Sequence, residues 1–126
     1  MDGNISARQG RLGEEFAAGL LQKRGYWILE TNFRTKQGEI DIIAENGEYL
    51  AFVEVKTRKA SALSPGYQAV TKTKQKRIFA AAITFLNTFP LELQPRFDVI
   101  CLETSREVEF KVISAEYYEN AFMAPF

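Results

Sequence analysis

Three ionisable residues occupy two neighbouring predicted strands at positions where apolar side chains are expected. Asp41 lies within the apolar run 40–44, and Glu54 and Lys56 follow the apolar run 50–53. Because side chains on a strand alternate between its two faces, Glu54 and Lys56 point the same way. A buried charge costs several kcal/mol unless it is paired, bound to a ligand or in contact with water. The pattern therefore predicts that these three residues have a compensating partner.

A divalent cation is one such partner. If the hairpin register places Asp41 beside Glu54, their carboxylates repel unless a cation lies between them. Carboxylate oxygens, with the backbone carbonyl of Val55, are the hard ligands that Mg²⁺ or Mn²⁺ prefers. Such an ion binds a phosphate oxygen and acidifies a water, and Lys56 stabilises the charge that develops at phosphorus. These residues are thus suited to phosphodiester hydrolysis.

A structural ion pair is the alternative explanation for the same residues. Glu-x-Lys is common on strands, and Asp41, Glu54 and Lys56 would neutralise one another at a sheet end without binding any ligand. The residues alone leave both explanations open. An accessible pocket, with room for a phosphate, distinguishes the first from the second.

Composition excludes several other classes of protein. The chain has 126 residues, of which 46% are hydrophobic and 25% charged, and this predicts one globular domain spanning residues 1–126. The absence of histidine excludes His-dependent hydrolysis and His-ligated zinc. The single cysteine, Cys101, excludes a disulfide scaffold and favours a reducing compartment. With no export signal and no apolar run long enough to cross a membrane, we expect a cytoplasmic protein.

Charge is balanced overall but unevenly distributed. Sixteen basic and sixteen acidic residues give a formal net charge of zero. Residues 31–77 contain nine basic and five acidic residues, whereas residues 78–126 contain three and seven. The middle segment is therefore the predicted face for a polyanion, although the basic residues at 72–77 would equally solvate one side of a helix. The acidic final third leaves open a protein partner.

Periodicity and turn signals predict the elements that position these residues. Apolar residues at helical spacing predict two helices, the second capped by Thr71, and Asn46-Gly47 predicts a hairpin turn. The predicted order is α-β-β-β-α-β-β. The elements are a helix at 6–24, strands at 26–33, 38–44 and 49–56, a loop at 57–70, a helix at 71–87, and strands at 97–102 and 108–112.

Taken together, short motifs along nearly the whole chain resemble those of the YraN-like family of predicted endonucleases. That family is placed in the PD-(D/E)XK nuclease superfamily and is related to archaeal Holliday-junction resolvases. The matching motifs are Gly13-Glu14-x-x-Ala17, Gly38-Glu39-Ile40-Asp41-Ile42-Ile43, Phe52-Val53-Glu54-Val55-Lys56-Thr57-Arg58, Ala69-Val70, Lys74 with Arg77, Arg96-Phe97-Asp98-Val99 and Asn120-Ala121-Phe122.

The resemblance implies an α/β (α+β) fold with a restriction-endonuclease-like αβββαβ core, in which helices flank a mixed central sheet. It also implies a metal-dependent site in which Asp41 and Glu54 ligate the ion and Lys56 is the catalytic lysine. Glu14 completes the acidic cluster from the first helix. One departure is that Ile40 stands where the superfamily signature has proline.

We expect a nuclease that acts on DNA, although the resemblance itself brings no defined substrate. Lys74 and Arg77 match basic positions of the family. Arg58 and Lys59 follow the catalytic strand, near the expected position of a bound DNA backbone. A preference for branched or structured DNA is suggested only by analogy with the resolvases. Because the resolvases are dimers, the same analogy suggests a homodimer here. A protein that binds nucleic acid, or serves as an adaptor, and retains the nuclease fold without turnover is the alternative.

Overall fold

The computed structural model describes residues 2–60 and 69–125, and its elements follow the predicted order. Neither described helix is long and apolar enough to cross a lipid bilayer. The helices are α1 (Asp2–Lys23) and α2 (Lys72–Thr88), and the strands are β1 (Trp27–Arg34), β2 (Glu39–Glu45), β3 (Tyr49–Lys59), β4 (Gln94–Thr104) and β5 (Val112–Phe122).

The described strands form one mixed sheet in the order β1-β2-β3-β4-β5. β1, β2 and β3 are joined as an antiparallel meander, and β4 pairs antiparallel with β5. β3 and β4 are parallel. The connection between them contains α2 and returns the chain to the end of the sheet at which β3 begins. The predicted α/β class, with a mixed central sheet flanked by helices, is confirmed.

β3 is covered on both faces, as its continuous apolar run predicts. Phe52 and Leu50 pack in a core on the α2 side, where the Phe52 and Phe97 rings stack with centroids 5.3 Å apart. Val53 and Ala51 pack in a second core beneath α1. Alternation along this strand therefore directs Glu54 to the α2 side.

The final strand was predicted in the wrong place. Val108 is 85% exposed in a bend between β4 and β5, and residues 108–111 do not form a strand. β5 instead spans Val112–Phe122, an edge strand with many exposed side chains, so its apolar alternation is weak. The alternation of apolar and polar residues at 108–112 was therefore the stronger sequence signal for a strand, but residues 108–111 pair with no other described strand.

The loop predicted at 57–70 begins later than expected. β3 continues to Lys59 because its parallel ladder with β4 extends to the Lys59–Thr104 pair. Cross-strand hydrogen bonding thus overrides the weak local pattern at these positions. Residues 61–68, the centre of the predicted loop, lie outside the described residues.

Two glycines allow close packing beside the ends of β2 and β3. A Cβ at Gly13 of α1 would overlap the hydroxyl oxygen of Thr57 in β3. A Cβ at Gly38, directly before β2, would overlap the backbone carbonyl of Arg77 in α2. Both helices therefore approach this end of the sheet at distances that a larger residue does not permit.

We expect Gly38→Ala to reduce the free energy of unfolding by about 1–3 kcal/mol, because the backbone of α2 must move to accept the methyl group. Gly19→Ala is the matched control, since a Cβ at Gly19 meets nothing within 4 Å. It should raise stability by about 0.5–1 kcal/mol through helix propensity. Urea unfolding measures both, and a Gly38→Ala protein as stable as wild type would contradict the packing.

Candidate metal-binding and catalytic site

The two predicted carboxylates meet where β2 and β3 separate. The β2–β3 ladder runs from the Glu45–Leu50 pair to the Ile42–Val53 pair, and the next positions in this register are Asp41 and Glu54. Beyond the ladder, Asp41 Oδ2 accepts a hydrogen bond of 2.8 Å from the backbone N–H of Val55. The Asp41 side chain thus satisfies a donor that β2 no longer reaches.

The backbone of β2 departs from regular alternation at Asp41. Ile40 packs in the α2-side core and Ile42 in the α1-side core, although residues two apart on a regular strand share a face. In β1, Asn32 lies between the pairs Thr31–Ile42 and Phe33–Ile40 and has a positive φ of 52°. The irregularity opens the sheet at this point and presents Asp41 to both helices.

Asp41 and Glu54 lie side by side in a buried environment. The two residues are only 8% and 6% exposed, respectively. Burial raises the pKa of Glu54 to about 8, and a hydrogen bond to Asp41 and the charge of Asp41 contribute in the same direction. Protonated Glu54 can therefore donate to the Asp41 carboxylate at neutral pH, which relieves the repulsion between two buried anions.

Two lysines near Glu54 oppose the rise in its pKa. Lys74 Nζ lies 3.6 Å from Glu54 Oε2, and the charges of Lys74 and Lys56 both lower the pKa of Glu54. Thr71 caps α2 by accepting a 3.2 Å hydrogen bond from the Lys74 N–H, which fixes the first turn of the helix. Lys74 was predicted to contact phosphate, and the structure places it against the carboxylate pair.

The predicted residues Lys56 and Glu14 also lie in this region. Lys56 is half-buried, two residues along β3 from Glu54. Glu14 is half-buried on α1, where burial and then the charge of Asp41 raise its pKa, while a hydrogen bond from the Asn32 side chain lowers it. The four predicted catalytic residues, from α1, β2 and β3, therefore interact at one end of the sheet.

The donor set fits a hard divalent cation. Among the described residues, no group of three or more His, Cys, Asp and Glu side chains is arranged as a complete metal cluster. Asp41 and Glu54 form an adjacent pair, and Val55 offers a backbone carbonyl beside them. Mg²⁺ commonly takes one or two carboxylates and completes its shell with water and phosphate oxygens, so two carboxylates suffice.

Three predicted nucleic-acid contacts lie on the flanks. Arg58 forms a 3.2 Å ion pair with Glu103 of β4, and Lys59 Nζ donates to the carbonyl oxygen of Glu107 at 3.0 Å. Arg77 is exposed on α2. Arg58 and Lys59 therefore already have partners within the chain, and the structure leaves their contact with nucleic acid a prediction.

Asn32 belongs to the site but was not identified from the sequence. It lies opposite Asp41 in the β1–β2 register, and its side chain lowers the pKa of Glu14. An asparagine within a predicted strand is an available signal, because asparagine is depleted in strands and enriched among residues with positive φ.

A second buried charged group lies on β4, at the start of the parallel ladder. Asp98 is fully buried and accepts hydrogen bonds from Arg96, at 2.8 Å, and from the Asn120 N–H, at 2.9 Å. Arg96 and Asp98 form a buried ion pair. A cavity of about 700 Å³ borders Arg96 and Tyr49 but includes neither Asp41 nor Glu54. These charges satisfy one another, so we assign them a structural role.

Comparison with known proteins gives one consistent result. Residues 13–102 match a family described as "Uncharacterised protein family UPF0102". A UPF0102 protein of Syntrophotalea carbinolica is 49% identical over 116 residues, which cover 90% of this chain and 89% of the relative. A UPF0102 protein of Dictyoglomus thermophilum is 41% identical over 114 residues, covering 90% and 95%. The matched segment contains all four predicted catalytic residues.

The raised pKa of Glu54 predicts how stability depends on pH. In the folded protein the pKa of Glu54 is about 8, whereas the ordinary pKa of a glutamate is 4.5. The contribution of Glu54 to stability is therefore greatest below the lower value and is lost as pH rises through the higher one. We expect metal-free wild type to lose, relative to Glu54→Gln, on the order of a few kcal/mol of unfolding free energy across this interval.

Denaturant unfolding in EDTA at several pH values measures this difference. Glu15→Gln, an exposed change on α1, is the matched control and should follow wild type at every pH. Parallel pH profiles for wild type and Glu54→Gln would show that Glu54 is not held protonated by the fold.

Proposed function

The chain belongs to the UPF0102 family, the YraN-like family that its motifs indicate, and from its own site we propose that it is a divalent-metal-dependent nuclease acting on DNA. The observation that supports this most directly is the buried Asp41–Glu54 pair. Two adjacent buried carboxyl groups with lysines beside them are typical of a cation site and unusual in a structural core. The motifs favour placement in the PD-(D/E)XK superfamily.

Each site residue has a distinct role in this proposal. Asp41, Glu54 and the Val55 carbonyl would hold Mg²⁺ or Mn²⁺, which when bound supplies Lewis-acid activation of water and of the scissile phosphate. Lys56 places a positive charge beside the pair, where it stabilises negative charge developing at phosphorus. Glu14 adds a third carboxylate from α1 at the edge of the site.

The first turns of α2 are the proposed phosphate-binding face. Lys74 Nζ lies 3.6 Å from Glu54 Oε2, so this lysine would contact a phosphate bound next to the carboxylates. Arg77 follows one turn later, exposed, and its backbone packs against Gly38 before β2. Contacts of this kind fix the DNA backbone without reading its sequence, which suits a structure-selective enzyme.

A non-catalytic DNA-binding or adaptor role is the second candidate. It is favoured by the neutral net charge and by the intramolecular partners of Arg58 and Lys59. Such a protein would keep the fold and bind nucleic acid without needing a metal ion.

We expect wild type to bind Mn²⁺ and to cleave DNA only when a divalent ion is present. Glu54→Gln preserves shape but removes the charge, so it should abolish both binding at this site and cleavage. Lys56→Met should retain Mn²⁺ binding and reduce the cleavage rate by about 100-fold or more, since it removes charge stabilisation at phosphorus. Calorimetric titration with Mn²⁺ and single-turnover cleavage of linear, flapped and four-way DNA measure these effects.

The same substrates separate the two candidate functions. Cleavage that persists in Glu54→Gln would identify a contaminant or another site. DNA binding that is insensitive to EDTA, with no product from any substrate, would favour the adaptor role.

We also expect Lys74→Ala and Arg77→Ala each to weaken DNA binding in EDTA and to lower the slope of log affinity against log salt by about one per lost phosphate contact. Lys23→Ala, an exposed change at the far end of α1, is the control and should leave the slope unchanged. Fluorescence anisotropy across a salt series measures the slopes. Equal slopes for all four proteins would place the DNA elsewhere.

A further inference from the structure

The cavity of about 700 Å³ beside Arg96 lies away from the carboxylate pair and has no part in the proposed nuclease function. Tyr49, which lines it, begins β3 and precedes Glu54 by about 17 Å along an extended strand. The other lining residues belong to the start of β4, the end of β5 and the segment that follows β5. Cavities of this volume commonly bind a ligand or a side chain of a partner.

The wall of this cavity is largely apolar. The rings of Phe97 and Phe122 border it and stack with their centroids 5.5 Å apart. Met123 also borders it, but its side chain is 77% exposed. Methionine adapts its shape to different apolar partners and is frequent on binding surfaces. An exposed methionine beside buried aromatic rings therefore offers a contact for an apolar side chain from outside.

Negative charge is in excess at the cavity. Arg96 donates hydrogen bonds to Asp98 from Nε at 2.9 Å and from Nη2 at 2.8 Å, so Asp98 already offsets its charge. Glu119 Oε2 lies 3.6 Å from the third nitrogen, Nη1. Among the described residues that line the cavity, Arg96 is the only basic one, so one cation faces two carboxylates. The side chain of Glu119 is 53% exposed, and a partner can therefore reach the excess charge.

Two further glutamates extend the negative surface. Glu48 directly precedes Tyr49, and its carbonyl oxygen accepts a 3.0 Å hydrogen bond from the N–H of Gln94, which lines the cavity. Glu92 lies two residues before Gln94, and both glutamates are exposed. This charge repels a nucleic acid and attracts a cationic partner. The surface therefore differs in sign from the basic first turns of α2.

We propose that the cavity and its glutamates form a docking site for a basic peptide segment of a partner protein, in which lysine or arginine flanks one apolar side chain. The apolar side chain enters the cavity and packs against Phe122 and Met123, and the flanking cations pair with Glu119 and Glu48. The inference goes beyond the proposed nuclease function and uses none of its residues.

Selection from a phage-displayed library of random dodecapeptides on the full chain tests this proposal. We expect enriched sequences to carry lysine or arginine on both sides of a leucine, methionine or phenylalanine. A synthetic peptide of that kind should bind more weakly as salt rises, because exposed charge pairs are screened. Fluorescence anisotropy measures its affinity across a salt series.

Two variants separate the charge from the apolar contact. Glu119→Gln should lower the affinity for the selected peptide about 3- to 10-fold and reduce its salt dependence. Met123→Ser should lower the affinity about 10-fold and leave the salt dependence unchanged. Both side chains are more than half exposed, so the melting temperatures should stay close to that of wild type.

Glu109→Gln, an exposed change in the bend between β4 and β5, is the matched control and should bind as wild type does. Three results would each overturn the proposal: no enriched sequence, enrichment of acidic sequences, or equal peptide affinity in wild type, Glu119→Gln and Met123→Ser. None of them bears on metal binding or DNA cleavage, which test the proposed function separately.

Discussion

The structure depends on a pair of like-charged side chains buried at the point where two strands part. Moving one carboxylate out of water costs several kcal/mol, and a second beside it adds repulsion. The protein offsets this cost with the raised pKa of Glu54, a hydrogen bond from the Val55 N–H to Asp41, and the charge of Lys74 at 3.6 Å. In the function proposed above, a divalent cation would provide the compensating charge instead.

The contrast with the other buried charged group on the sheet supports this interpretation. Asp98 is neutralised at 2.8 Å by Arg96, and the Asn120 N–H and the Tyr117 hydroxyl provide further donors. Opposite charges with complete hydrogen bonding need no additional ligand and stabilise the junction of β4 and β5. Asp41 and Glu54 have like charges and only partial compensation. The two buried groups thus differ in the sign of the charged partner beside the aspartate.

The mixed topology of the sheet explains how both helices reach the carboxylate pair. Parallel pairing of β3 with β4 requires a crossover, and α2 supplies it on the face to which Glu54 points. Lys74 therefore lies beside Glu54 because it belongs to the crossover helix. On the opposite face α1 packs closely over β3 through Gly13, and this packing brings Glu14 to the same end. The amphipathic pattern of either helix does not by itself determine that the helix lies near the carboxylate pair.

The sequence by itself determined the element order and the mixed α/β class, and it predicted the four residues that the structure places at one end of the sheet, since alternation, turn signals and misplaced charges are local features. It misplaced the last strand and ended β3 too early, because edge exposure and ladder length depend on pairing partners distant in the chain. Tertiary structure alone decided that Lys74 lies beside Glu54, that Arg58 and Lys59 have internal partners, and that Asn32 lies opposite Asp41. Those relations depend on strand register and helix position, which are set by packing across the whole sheet.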